Sequence, residues 1–474
     1  MTDTPRLDVP IRDVWDALPE QLRAEFLARR TESTGWNFHQ LQESDGKYWE
    51  PLRPVVIGER AYGRLDSITA RLLHLAVDAC RRRASTVGEL KRLLRFPDAL
   101  LLMDPDRPIV ATELIRYARP DFLIEQGRPR LLELNTLPNL GRSVTLCPQL
   151  ADAYAQLCPH SGLYRPPSTV AARSEALVRT LPGEIGNGIP IRLLMPTYKK
   201  MKSGTGKTKS HKTARRAAVA DAERVGFEVV QADLAELRLD TTGRLLAADV
   251  PIDVVLLQWG GGIVEDGGGV AALCGADRAQ TVGLFPRTES GLISSKAILA
   301  WLHEDCAAGL LAAADQELVR EHVPWTACLG LDCDPDEQKE LLSVASGRRD
   351  QLVAKPASGS SGKGVLFGSQ AAEQDWPSAL VEEARTNPVV LQERVVSDRT
   401  PIQFHELDSG QQITAEVPFV LSPFMIDGVA GNLYLRHMGP YVAAGDLVIG
   451  AFRGAYESTV LLAPEPSVPG AARD

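Results

Sequence analysis

The segment from Arg119 to Pro138 constrains this chain more than any other. It reads Arg119-Pro-Asp121-Phe-Leu-Ile-Glu125-Gln-Gly127-Arg-Pro-Arg130-Leu-Leu-Glu133-Leu-Asn135-Thr-Leu-Pro138. Two extended runs flank Gln126-Gly127-Arg128-Pro129, which is turn chemistry, so the segment predicts a β-hairpin. Side chains alternate along a strand, so Glu133 and Asn135 share one face while Leu132 and Leu134 take the other. Asp121 lies on the paired strand within reach of that face, and Arg119 two residues earlier can share it. Two carboxylates and an amide carbonyl form an all-oxygen cluster, the chemistry that Mg²⁺ prefers when phosphate oxygens complete its shell. Alternation alone fits a surface hairpin with outward polar residues equally well.

A second segment adds phosphate chemistry. In Leu352-Val-Ala-Lys355-Pro356-Ala-Ser358-Gly359-Ser360-Ser361-Gly362-Lys363-Gly364-Val365, an apolar strand delivers a lysine and a Gly/Ser loop returns to a second apolar run. Glycines let backbone N–H groups approach phosphate oxygens closely, and Ser358, Ser360 and Ser361 add donors. A lysine at the strand end supplies a point charge. A Gly/Ser loop by itself is more often a plain flexible turn; the Lys-Pro entry and the Gly-Lys-Gly-Val exit favour a ligand.

Length and charge bound the alternatives. A chain of 474 residues implies two or three packed subdomains. Its net charge of −9 disfavours a nucleic-acid partner. The seven cysteines form no C-x-x-C pair and read as reduced cytosolic thiols. No signal pattern opens the chain and no apolar run reaches about 18 residues, so a cytoplasmic protein without membrane contact is expected.

These motifs carry a resemblance. The run RPDFLIEQGRPRLLELNTLP is similar to the end of the ATP-grasp domain in D-alanine–D-alanine ligases, and the Lys355 loop resembles the ATP-grasp glycine-rich loop. By it, Asp121, Glu133 and Asn135 are the metal ligands. The order is inverted here, because the hairpin precedes the loop by more than 200 residues. Glutathionylspermidine synthases are permuted in this way. They carry Arg-x-Asp, Glu-x-Asn, a Ser-Asn-Lys-Ala-Ile-Leu-like helix start and then a Lys-Pro loop. This chain has Arg119-Pro-Asp121, Glu133-Leu-Asn135, Ser294-Ser295-Lys296-Ala297-Ile298-Leu299 and Lys355-Pro356 in that order. It departs inside the loop, where Ser360-Ser361 replaces their frequent Arg-Glu.

Residues 1–110 read mainly as helices, and the apolar runs Ile191–Met195, Phe227–Val230 and Val254–Leu257 read as three strands of a parallel, Rossmann-like unit. With that helical N-terminal region and that subdomain, the resemblance implies an α/β, circularly permuted ATP-grasp fold. It divides the chain into that region (1–110), the metal-binding segment (111–160), the Rossmann-like subdomain (185–290), the nucleotide-binding region with its glycine-rich lid (291–460) and a disordered tail (461–474). Residues 161–190 read as a connector. Lys296 and Lys355 would hold ATP phosphates, with Ser358, Gly359, Ser360, Ser361 and Gly362 cradling them. Gln392 and Glu393, at the end of the strand beginning near 388, would lie beside adenine or ribose. The implied activity is an ATP- and Mg²⁺-dependent carboxylate–amine ligase acting on small-molecule acid and amine substrates, compatible with a homodimer. Arg119 would stabilise the acyl phosphate and the oxyanion that follows it. A small-molecule kinase and a non-catalytic nucleotide-binding protein are the alternatives, since fold alone does not decide chemistry.

Two glycine-rich stretches are set aside. Ser203-Gly204-Thr205-Gly206-Lys207-Thr208 lacks the leading glycine of a P-loop, whose place is Met201. With its neighbouring lysines it reads as a basic loop, solvated or clamping an anion. Gly260–Gly262 and Gly267–Gly269 follow a strand of an α/β unit and suit substrate contact or simple loop flexibility equally.

Overall fold

The computed structural model describes residues 9–32, 41–43, 45–98, 100–138, 140, 143–183, 190–197, 199–200, 209–258, 263–330, 334–359, 362–442 and 448–465. The Lys207 loop, Gly260–Gly262, Ser360 and Ser361 lie outside the described residues.

A ten-stranded sheet organises the molecule. Its axis is the strand Gln412–Ile426, which is long enough to serve two partners along one edge. Its first half pairs antiparallel with Arg399–Glu406, its second half with the hairpin strand Asp121–Glu125. The opposite edge pairs with Val429–His437, followed by Tyr456–Ala463 and then, in parallel, Val55–Gly58. Alternation along these strands supplies two apolar faces. Val55, Ile57, Val460 and Leu462 face the 25-residue helix Glu59–Arg83. That helix presents Leu65, Ile68, Leu72, Ala76 and Ala79 at helical spacing. Val56, Leu461 and Ala463 face the helix Ser143–Leu157 instead.

The hairpin forms as the sequence predicts, with a tighter turn. Gln126 and Gly127 have φ of 52° and 74°, a two-residue turn with both central residues left-handed. Arg128 and Pro129 already belong to the second strand, Arg128–Glu133. Proline is tolerated there because, among the described residues, this strand pairs only with Asp121–Glu125.

Two smaller sheets flank the large one. Ile191–Leu194, Phe227–Val230, Val254–Leu256 and Gly283–Phe285 form a wholly parallel sheet, one strand more than the sequence suggests. Thr326–Leu329, Val389–Glu393, Leu352–Pro356 and Leu366–Phe367 form an antiparallel sheet. The helix Ala297–Ala307 packs beside it with Lys296 at its N-cap.

Three regions differ from expectation. The N-terminal region contributes the strands Tyr48–Pro51 and Val55–Gly58 as well as helices, because short apolar runs there complete the large sheet. Within 161–190 lies the helix Thr169–Arg179, whose N-terminus is capped by Ser168 and by Asn432 Oδ1, 3.0 Å from Thr169 N. The tail begins later than 461, since Leu461 and Leu462 are buried sheet residues. Among the described residues, no helix is long and apolar enough to cross a membrane.

Candidate active site

The hairpin brings Asp121 and Glu133 into direct cross-strand register, with an irregularity between Asp121 and Phe122. Asn135 follows, and its carbonyl accepts from Arg119 N–H at 2.7 Å, which ties the two strand ends together. Thr136 is locked next: its hydroxyl donates to the Ser290 carbonyl at 2.7 Å, and Ser290 returns a bond to the Thr136 carbonyl at 2.6 Å. Glu133 and Asn135 are therefore held from both sides.

Lys296 reaches the hairpin from the start of its helix. Its Nζ lies 3.0 Å from Glu133 Oε2 and donates to the Gly359 carbonyl at 3.3 Å. Its backbone N–H donates to Ala357 at 2.8 Å, so it links hairpin and glycine loop. Burial alone would raise the Glu133 carboxyl, but Lys296 and then Lys355 outweigh it and hold it well below the usual carboxylate range. Lys355, at the end of Leu352–Pro356, donates to Gln392 Oε1 at 2.6 Å. Burial pushes its ammonium down to about 8; Glu133 opposes the shift and Lys296 adds to it.

Asp121 is 3% exposed and fully engaged. Ser422 Oγ donates to Oδ1 at 2.7 Å, Arg436 Nη2 lies 2.6 Å from Oδ2, and Arg119 Nε stands 3.7 Å from Oδ1. Burial would lower the Arg436 guanidinium, but Asp121 reverses this and keeps it charged. Arg119 donates to the Leu140 carbonyl at 2.9 Å and lies 4.9 Å above the Tyr434 ring. Arg436 shares that ring at 5.4 Å, and the Tyr434 hydroxyl donates to Glu457. One aromatic ring thus supports two guanidinium groups.

The loop after Lys355 turns back on itself at Gly364, which has φ of 72°; a Cβ there would stand 2.7 Å from Pro356 Cγ. Ser358 Oγ is buried without a partner among the described residues. Gly359 is exposed, and the Gly362 carbonyl accepts from Arg453 Nη2 at 3.2 Å.

Gln392 departs from its expected role. It is 1% exposed, accepts from Lys355 and donates to Thr326 Oγ1 at 3.2 Å. Its amide is consumed inside the sheet and positions a lysine; it does not open toward a base. Glu393 is partly exposed and pairs with Arg348 at 3.3 Å and Arg130 at 3.8 Å. Sequence reasoning passed over Arg436, Tyr434 and Ser422. The stretch Asn432-Leu-Tyr434-Leu-Arg436 alternates polar and apolar residues, a signal that these side chains share one strand face.

The donors suit a phosphate-bridged magnesium ion. Glu133 supplies a carboxylate and Asn135 an amide, and Asn135 Nδ2 is buried without a partner among the described residues. Among the described residues no group of three or more His, Cys, Asp or Glu side chains is arranged to hold a metal. Phosphate oxygens would have to complete the shell, as is usual for Mg²⁺.

No protein-family model matches the chain, and no curated protein matches it. Solved structures do. A glutathione synthetase-like effector from Globodera pallida, in apo form, is 13% identical with a TM-score of 0.52, covering 94% of this chain and 99% of that one. A putative γ-glutamylcysteine synthetase from Methylobacillus flagellatus is 14% identical with a TM-score of 0.38, covering 87% and 89%. D-alanyl-alanine synthetase A from Vibrio cholerae is 14% identical with a TM-score of 0.27, covering 48% and 67%. The first of these shows that the chain has the mixed α/β fold of a glutathione synthetase-like protein.

Proposed function

We propose that the chain is an ATP-dependent carboxylate–amine ligase of the ATP-grasp type, with its segments in permuted order. One observation carries this reading. Lys296 joins Glu133 of the hairpin to the Gly359 carbonyl of the glycine-rich segment, and Lys355 from a third element acts on the same carboxylate. The shared fold with a glutathione synthetase-like protein supports it.

In this reading Lys296 and Lys355 hold the phosphates, with Ser358 and the loop glycines adding donors. Glu133 and Asn135 would hold a magnesium ion, which would supply charge neutralisation at the phosphates. Asp121, anchored by Ser422 and Arg436, orients the Arg119 side of the site. A substrate carboxylate oxygen attacks the γ-phosphorus, ADP leaves, and Arg119 meets the acyl phosphate with paired N–H donors. An amine then displaces phosphate, and closure of the glycine loop protects the intermediate from water.

Hydroxylamine tests this. Enzyme, Mg-ATP and a panel of amino acids and short peptides should yield a hydroxamate and an equal amount of ADP for the true acid substrate. AMP and pyrophosphate would refute the mechanism. A stable phosphorylated alcohol or amine would favour a kinase.

A further inference from the structure

The carboxylate assigned to the metal is already occupied by a lysine. Lys296 is 7% exposed and divides its ammonium between Glu133 Oε2 and the Gly359 carbonyl. Asp121 is equally engaged, with Ser422 on one oxygen and Arg436 on the other. Arg119, Arg436, Lys296 and Lys355 surround these two carboxylates, and Glu457 stands behind Tyr434 as a third. Among the described residues, these four cations outnumber the three carboxylates.

That balance treats the two ligands differently. A bare divalent cation meets like charge at a few ångströms and must displace a buried ammonium from Glu133. A polyphosphate meets a favourable field, and its oxygens offer Lys296 charge-assisted acceptors in exchange for Glu133.

We propose that Lys296 is a latch on the metal carboxylate: the site takes a metal-free nucleoside polyphosphate as readily as a metal-bound one, while a divalent cation enters only with the nucleotide or after it. On nucleotide binding the ammonium shifts from Glu133 to a phosphate, and Glu133 with Asn135 becomes available to the cation. The inference rests on the ligase reading above.

Mn²⁺ and ADP are the probes, on the full chain. Calorimetry should detect ADP binding in EDTA. Water-proton relaxation should show no Mn²⁺ uptake by the protein alone and clear uptake once ADP is present. Lys296→Gln should take up Mn²⁺ without nucleotide, about tenfold or more tighter than wild type. Adding Glu133→Gln to that variant should abolish the gain. Wild-type protein that binds Mn²⁺ alone as tightly as Lys296→Gln would overturn the latch and leave the ligase reading intact. So would ADP binding that appears only when Mn²⁺ is present. If ADP binds under no condition, the ligase reading falls and the latch with it. The wild-type comparison stands even where the variant folds poorly.

Discussion

Among the described residues, Lys355 donates its ammonium to one acceptor, the neutral Gln392 Oε1. A phosphate would offer it a charged partner, worth about 1.5–3 kcal/mol for such a hydrogen bond. Lys355→Ala is therefore expected to weaken ATP binding by about tenfold or more, while Lys207→Ala leaves it unchanged. Calorimetric titration of both variants decides the matter; the reverse pattern would move the nucleotide to the 203–208 loop. Lys355, Glu133 and Asn135 could be singled out in the sequence because each sits in a short motif of telling chemistry, and Lys296 only through the resemblance of its Ser294–Leu299 run. Ser422 could not, and Arg436 only as one polar position of an alternating strand. Ser422 meets Asp121 across 301 residues of chain, and only the assembled sheet makes them neighbours. Gln392 was misplaced for a related reason: position on a strand gives the side chain's face, but not whether that face is sealed.

Among the elements, the hairpin depends on its turn. Asp398 accepts from Gln126 N–H at 2.8 Å with one carboxylate oxygen and from Gly127 N–H at 2.7 Å with the other. These bonds satisfy two turn donors and pin the end of the hairpin remote from Glu133. Asp398→Ala should destabilise the protein by about 1–3 kcal/mol through the orphaned donors. Denaturant melts measure this, and an unchanged midpoint would show that water replaces the carboxylate at no cost. The turn was legible because Gln-Gly between two apolar runs has few other solutions. The strand Gln412–Ile426 was not: its first half alternates, but from Val417 onward every residue is buried. A run buried on both faces has no period to read.

Across the whole molecule, buried histidines set an acid limit. Burial lowers His322 to about 4, against its bond to the Pro129 carbonyl, and lowers His437 to about 4 as well. Their unfolded values lie near 6.5, so between about pH 6.5 and 4 the unfolded chain binds more protons than the folded one. Stability is therefore expected to fall on acidification through this window, by up to about 1.4 kcal/mol per pH unit for each histidine. His437→Phe, which keeps a ring stacked on Tyr456, should flatten that slope in urea melts at pH 7 and pH 5. An unchanged slope would place the protons elsewhere.

Val55–Gly58 finds its parallel partner in Tyr456–Ala463, about 400 residues later in the chain. During synthesis at roughly 5–20 residues per second, the first strand waits some tens of seconds for the second to emerge. The hairpin waits nearly as long for Gln412–Ile426. Through that interval the helix Glu59–Arg83 has no completed sheet to cover, and its apolar stripe faces solvent or a chaperone. Nascent chains of this protein should therefore stay protease-sensitive until Tyr456–Ala463 has emerged from the ribosome, and then become resistant in a single late step.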